Sequence, residues 1–107
     1  PPRGSSDLKS VTLAAGRSAL FPDSVTVRGR RHVELLARLA RGGERAILLY
    51  LVQRADCARV APADAIDPAY AEALRAARDA GVRVLAYASA LTTKGIALKR
   101  ALPCVLD

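Results

Sequence analysis

The sequence has few of the residues that build zinc, redox or base-stacking sites. It contains one histidine and two cysteines, with no methionine and no tryptophan. Cys57 and Cys104 lie far apart and form no C-x-x-C pair, which excludes a zinc site of thiolate and imidazole ligands. One phenylalanine and three tyrosines are the only aromatic residues, so the chain offers little surface on which single-stranded bases could stack.

Long apolar runs are also missing. No stretch approaches the roughly 18 apolar residues of a membrane-spanning helix, and none resembles a signal peptide. We therefore expect a cytoplasmic protein with reduced thiols. The 107 residues suit one domain with one modest core. The opening PPRGSSD lacks a methionine and runs directly into a strand pattern, so we expect the chain to be a piece of a longer protein.

Acidic residues are outnumbered. Ten Asp and Glu face seventeen Lys and Arg, for a formal net charge of +7, and fourteen of the basic residues are Arg. The planar guanidinium suits phosphate better than an ammonium does, which favours a nucleic acid or another phosphate-bearing partner. A high-GC genome, which replaces Lys with Arg and enriches Ala, explains the same composition without any such partner.

Hydrophobic periodicity and turn residues predict an α/β chain in the order β, loop, α, β, α, β, β. Asp67 is the expected N-cap of the second helix, with Pro68 at its first position. Residues 46–90 read as a right-handed βαβ unit, with Tyr50 and Tyr70 in the core. The predicted elements after the first strand are a helix at Arg30–Arg41, a strand at 46–52, a helix from Pro68 to Gly81, a strand at 82–91, a turn at 93–95 and an edge strand that points Lys99 and Arg100 outward.

The strand at 46–52 consists of seven apolar residues without alternation. Such runs are typical of parallel strands that are covered on both faces. The sequence therefore predicts helices on both sides of the sheet.

Asp7 and Lys9 stand one residue apart at the first strand. Because strand side chains alternate between faces, both charges project to the same side. A carboxylate binds Mg²⁺, and a neighbouring ammonium can orient a metal-bound water or offset charge on a phosphate. The alternative is an ordinary solvated strand face. A complete site would need a second carboxylate from an adjoining strand, and none precedes Asp7 in this sequence.

A second group of candidates lies where a loop of small residues leads into the first helix. Backbone N–H groups and guanidiniums there could hold a phosphate, although Asp23 could equally cap a turn and His32 could be an ordinary surface residue. The candidates are Asp23, Arg28, Arg30, Arg31 and His32.

A third group follows the buried strand. Gln53 stands at its carboxyl end, where ligands collect in open parallel sheets. Arg54 and Asp56 beside it are either site residues or an exposed ion pair.

Long gapped segments resemble the sugar fermentation stimulation protein A (SfsA) family over roughly residues 7–103. The most specific are FPDSVTVRGRRH at 21–32 and the pair VQR and IDP. Further matching segments are AILLYLVQRADC, IDPAYAEALRAARDAGVRVLAY and GIALKRALP.

The resemblance implies a bacterial or archaeal protein whose fold is a restriction-endonuclease-like PD-(D/E)xK mixed sheet flanked by helices, incomplete here at its N-terminus. Residues 1–107 would form the C-terminal nuclease-like domain, with an OB-like domain and an upstream aspartate before Pro1. Asp7 and Lys9 would take the places of the acidic residue and lysine of the motif. The family usually has glutamate at the first position, so Asp7 is one methylene shorter and its reach is altered.

Three functions follow as hypotheses. The first is a Mg²⁺- or Mn²⁺-dependent nuclease that acts on DNA, or alternatively on RNA, with Asp7 as metal ligand, Lys9 as the positioning group and Arg28, Arg31 and Arg54 on phosphates. The second is a DNA-binding regulator of sugar (maltose) metabolism that does not cut. The third is an α/β module that acts on a small phosphorylated molecule. The scarcity of aromatics favours contacts with a duplex backbone over stacking of single strands.

Overall fold

A computed structural model describes residues 4–107. It contains seven strands and two helices within that range. In chain order they are β1 (Gly4–Val11), β2 (Leu13–Ala15), β3 (Ser18–Phe21), α1 (Val27–Arg41), β4 (Arg45–Val52), β5 (Arg59–Pro62), α2 (Pro68–Asp79), β6 (Arg83–Thr92) and β7 (Gly95–Leu102).

The main sheet has four strands in the order β1-β4-β6-β7. The first three are parallel, and β7 pairs antiparallel with β6 through the hairpin at its end. The predicted βαβ unit and the antiparallel last strand are therefore confirmed. Both outer positions of this sheet, β1 and β7, are edges within the described residues.

Both helices pack on one face of the main sheet, not on both faces as the apolar run of β4 suggested. The chain moves in one direction from β1 through α1 to β4 and then through α2 to β6, and right-handed crossovers in one direction place their helices on the same side. Alternate residues of β4, such as Leu48 and Tyr50, are buried beneath the helices. The opposite face carries Ile47 and Leu49 half-buried and Leu8 and Leu98 exposed.

A second sheet, absent from the predicted order, consists of β2, β3 and β5. The hairpin from β2 to β3 turns at Gly16, whose φ of 59° lies in the left-handed region. Strand β5 joins parallel to β3 from about forty residues further along the chain. Strands of three or four residues have too little periodicity to be predicted from sequence, so the predicted order has loops in their place.

Helix α1 begins at Val27, three residues before the predicted start. Thr26 is its N-cap, and the Oγ1 atom accepts a hydrogen bond from the Gly29 N–H at 2.9 Å. A Cβ atom at Gly29 would lie 2.9 Å from the Thr26 side chain, so this cap requires glycine there.

Three aromatic rings join the two sheets and α2 at the centre of the core. The hydroxyls of Tyr50 and Tyr70 lie 2.6 Å apart, and the Phe21 ring contacts both tyrosine rings at centroid distances of 5.5 and 5.3 Å. Burial raises the pKa of both tyrosine hydroxyls. The prediction that both tyrosines belong to the core is confirmed.

Asp67 connects the beginnings of the two helices. Its Oδ1 atom accepts from the Tyr70 N–H at 3.0 Å, as expected of an N-cap, and its Oδ2 atom accepts from the Thr26 N–H at 2.9 Å. The side chain is buried. Hydrogen bonds from the backbone N–H groups of Thr26 and Tyr70 hold the pKa of this carboxyl below its usual range.

Asp67→Ala is expected to lower the melting temperature of the domain by about 4–8 °C, the effect of losing one helix cap in a domain of this size. Two buried N–H groups would lose their acceptor in this variant. Because the folded pKa is lowered, the wild-type advantage should be full above about pH 5 and shrink as the pH falls below about 4. Thermal unfolding followed by circular dichroism at pH 7 and pH 3 measures both effects. An unchanged melting temperature at pH 7 would show that the cap does not stabilise the helices.

Neither helix within residues 4–107 has the length and apolar character needed to cross a membrane.

Candidate functional site

Asp7 and Lys9 lie on the helix-covered face of β1 and are largely buried. Their side chains are 16% and 17% exposed, and they stand in register beside Leu48 and Tyr50 of β4. Neighbouring Leu8, on the other face, is 55% exposed. The two charges therefore share one side of the strand as predicted, and that side is not a bare outer surface.

The Asp7 carboxylate has two nitrogen-bearing neighbours, the Lys9 ammonium and the His32 imidazole. Its Oδ2 atom lies 2.9 Å from Lys9 Nζ and 3.2 Å from His32 Nδ1, and its Oδ1 atom accepts from the Leu8 N–H at 2.9 Å. The Oδ2 atom is buried, yet no donor among residues 4–107 meets it with hydrogen-bond geometry. The contact with Lys9 is therefore ionic without a directed hydrogen bond, the His32 ring lies beside the same oxygen, and this oxygen keeps a lone pair for another partner.

The donor set around Asp7 fits part of a metal site. Carboxylate oxygen and imidazole nitrogen are both ligands of divalent metals, and the Oδ2 atom accepts no hydrogen bond from the described residues. No cluster of three or more His, Cys, Asp or Glu side chains occurs in the described part of the chain. Within the described residues, no strand pairs with the outer edge of β1. A second carboxylate on a strand added to that edge would lie beside Asp7.

The basic side chains at the start of α1 lie on two different sides of the helix. Arg28 lies one turn before His32, so both project toward the side of α1 that faces Asp7. Arg31 is exposed. Arg30 instead faces the start of α2, where it lines a groove with Glu34. Asp23 is exposed in the loop before α1, without a contact to Asp7.

Gln53 and Arg54 belong to a separate location at the carboxyl ends of the parallel strands. The Gln53 amide donates to Ser10 Oγ at 2.9 Å, on the face of β1 opposite to Asp7. Arg54 forms a two-point pair with Asp56, at 2.9 Å from Nε and 2.7 Å from Nη2, and approaches the Thr12 carbonyl at 3.3 Å. This pairing holds the pKa of Asp56 at about 2 and raises that of Arg54.

This location opens into a cleft of about 340 Å³. The cleft is lined on its polar side by Gln53, Arg54, Ser89, Lys99 and Arg100. The sequence does not point to Ser89. Lys99 and Arg100 are exposed on the edge strand, as predicted, and a bulge in β7 also brings both to this cleft: Ala88 pairs with Arg100 and Ser89 with Leu98. No residue type in this segment signals a bulge in advance.

Comparisons with known proteins agree on one family. A family model described as "Sugar fermentation stimulation protein RE domain" matches residues 6–95. The sugar fermentation stimulation protein homolog of Pelobacter propionicus is 49% identical over 100 residues, covering 94% of this chain. The homolog of Pseudomonas paraeruginosa is 52% identical over 99 residues, covering 91% of this chain.

One solved structure extends the similarity to the fold. The structure of Pyrococcus furiosus SfsA in complex with Ca²⁺ superposes on 94% of this chain with a TM-score of 0.86 at 33% identity. The chain spans 44% of that protein, and 44% and 42% of the two homologs. It therefore corresponds to less than half the length of its relatives.

Proposed function

The chain belongs to the sugar fermentation stimulation protein family, and from that premise we propose that it is the catalytic part of a metal-dependent nuclease of the PD-(D/E)xK type that hydrolyses phosphodiester bonds in DNA. The single observation that carries the proposal is the buried Asp7 Oδ2 atom, which has an open lone pair between Lys9 and His32. The structure of Pyrococcus furiosus SfsA, which shares this fold over 94% of the chain, is a complex with Ca²⁺, and this supports binding of a divalent metal by the full-length protein.

Each neighbouring side chain has a role in this proposal. Asp7 binds Mg²⁺ or Mn²⁺, which when bound lowers the pKa of a water and offsets charge on the phosphate. The Lys9 ammonium, 2.9 Å from Asp7, neutralises the carboxylate without metal and is placed to hold a water or a phosphate oxygen beside it. His32 and Arg28, one turn apart on α1, form the outer rim and contact the scissile strand.

The second carboxylate is proposed to come from a strand that pairs with the outer edge of β1. An unpaired strand edge is a template for such an addition, and Asp7 lies in the middle of this edge strand. An aspartate in a strand-like run of the full-length protein, some twenty to forty residues before Pro1, would complete the metal site. For the 107-residue chain by itself we expect weak metal binding and little cleavage.

A DNA-binding regulator of sugar (maltose) metabolism that does not cut is the second candidate. It is favoured by the aspartate at position 7, which is one methylene shorter than the glutamate expected from the resemblance and whose carboxylate is paired with Lys9 at 2.9 Å. Both candidates require binding to DNA, so binding alone does not separate them. Only the nuclease cleaves DNA, so an assay of cleavage distinguishes the two.

Binding of the full-length protein to random duplex DNA is expected to weaken at least about tenfold between about 50 and 200 mM salt, because Arg contacts to phosphates release counterions. Arg28→Gln should weaken binding and lower the slope of log affinity against log salt by about 1. Arg83→Gln, an exposed arginine at the start of β6, is the matched control and should leave the slope unchanged. Fluorescence anisotropy gives both quantities, and equal slopes for wild type and Arg28→Gln would remove Arg28 from the interface.

A further inference from the structure

Three cations line the cleft at the carboxyl ends of β4 and β6, and two of them have no acidic partner among residues 4–107. Arg54 is neutralised by Asp56, whereas Arg100 is held by the Cys57 carbonyl at 2.8 Å and Lys99 forms no ion pair among residues 4–107. No acidic side chain lines the cleft. About two units of charge therefore remain, which matches a phosphate monoester at neutral pH more closely than the single charge of a phosphodiester.

The bulge in β7 brings Lys99 and Arg100 to the same surface. In a regular strand, adjacent residues point to opposite faces, so Lys99 and Arg100 would not share a surface. The bulge leaves Lys99 without a partner on β6, and both cations line the same cleft. Bulges are over-represented next to binding and active sites because they re-aim side chains in this way.

The rest of the cleft suits the organic part of a nucleotide. Its other wall is apolar, with Leu91 and alanines at positions 55, 88 and 90. Leu91 is 74% exposed and offers a surface for a planar base. The volume of about 340 Å³ lies within the range of small-molecule sites, roughly 300–1,000 Å³.

Two of the three cations are also held in place before any ligand arrives. Arg100 donates to the Cys57 carbonyl, and Arg54 is fixed by Asp56 and by the Thr12 carbonyl. Donors whose positions are already set lose less entropy when they bind an anion.

We propose that this cleft binds the phosphate monoester of a nucleotide, either a free nucleoside monophosphate or the terminal phosphate of a nucleic-acid strand. It is separate from the Asp7 site, because the residues that line it do not include Asp7, Lys9 or His32. The proposal therefore does not depend on nuclease activity.

Isothermal titration of the full-length protein with adenosine monophosphate, and with adenosine as the uncharged reference, tests the cleft directly. Lys99→Gln is expected to weaken binding of the monophosphate about tenfold, the effect of one charge-assisted hydrogen bond. Lys94→Gln is the matched control: an exposed lysine in the turn of the same hairpin, outside the cleft, which should change the affinity less than about twofold.

The same titration with single-stranded hexanucleotides that carry a 5′-phosphate or a 5′-hydroxyl identifies the source of the phosphate. A preference for the phosphorylated strand that is lost in Lys99→Gln assigns the cleft to strand ends, and binding of the monophosphate alone assigns it to free nucleotides. Equal affinity for adenosine and its monophosphate, or equal losses in Lys99→Gln and Lys94→Gln, would overturn the proposal.

Discussion

Asp7→Asn is expected to reduce Mg²⁺- or Mn²⁺-dependent DNA cleavage by the full-length protein at least about a hundredfold. An amide oxygen carries no net charge, so the variant loses the ionic contact with the metal and leaves Lys9 uncompensated in a largely buried position. The initial rate of cleavage of a linear duplex, with and without the metal, measures the effect.

Two further variants make this test specific. Asp79→Asn, at an exposed aspartate of α2 that pairs only with Arg78, should cleave at the wild-type rate. Asp7→Glu, which introduces the acidic residue expected at this position from the resemblance, should retain at least about a tenth of the activity. Cleavage that survives both Asp7→Asn and Lys9→Ala would show that the metal site lies elsewhere.

Tyr70→Phe is expected to destabilise the domain by about 1–3 kcal/mol. The Tyr50 hydroxyl would then lie in the core without its partner at 2.6 Å, and an unpaired buried hydroxyl costs more than the pair contributes. The double variant Tyr50→Phe/Tyr70→Phe should lose less than the sum of the two single variants, because no hydroxyl is then left unpaired. Urea unfolding followed by circular dichroism gives the three values, and additive losses would contradict a direct hydrogen bond.

The buried pair of Tyr50 and Tyr70 makes the stability of the fold depend on pH in the alkaline range. Burial raises the folded pKa of both hydroxyls, so the folded state holds these protons more tightly than the unfolded state. Their contribution to stability is therefore complete below about pH 10 and is lost as the pH rises further.

The sequence predicts local structure best where a residue type has a single structural role that depends only on its neighbours in the chain. Asp67 followed by Pro68 marked the start of α2 correctly, because a carboxylate caps free N–H groups and proline has no N–H to lose. The spacing of Asp7 and Lys9 placed both on one face of β1, since strand alternation fixes it. His32 was named as a candidate, but its contact with Asp7 depends on the docking of α1 over β1.

The features that the sequence did not reveal depend on long-range pairing. Strand β5 exists only because β3 offers it an edge, and the bulge at Lys99 arises from the register of β7 against β6. The open face of the sheet follows from the direction in which both crossovers run, which the apolar run of β4 does not encode. The sequence therefore indicates only Gln53 and Arg54 at the end of β4, and the rest of the cleft depends on these long-range features.

The most direct test of the metal site is anomalous scattering from crystals of the full-length protein grown with Mn²⁺. The proposed nuclease predicts a manganese peak within about 2.5 Å of Asp7 Oδ2, with a second carboxylate from a strand beside β1 among its ligands. A manganese peak elsewhere, with the Asp7 carboxylate still paired only with Lys9 and His32, would contradict it.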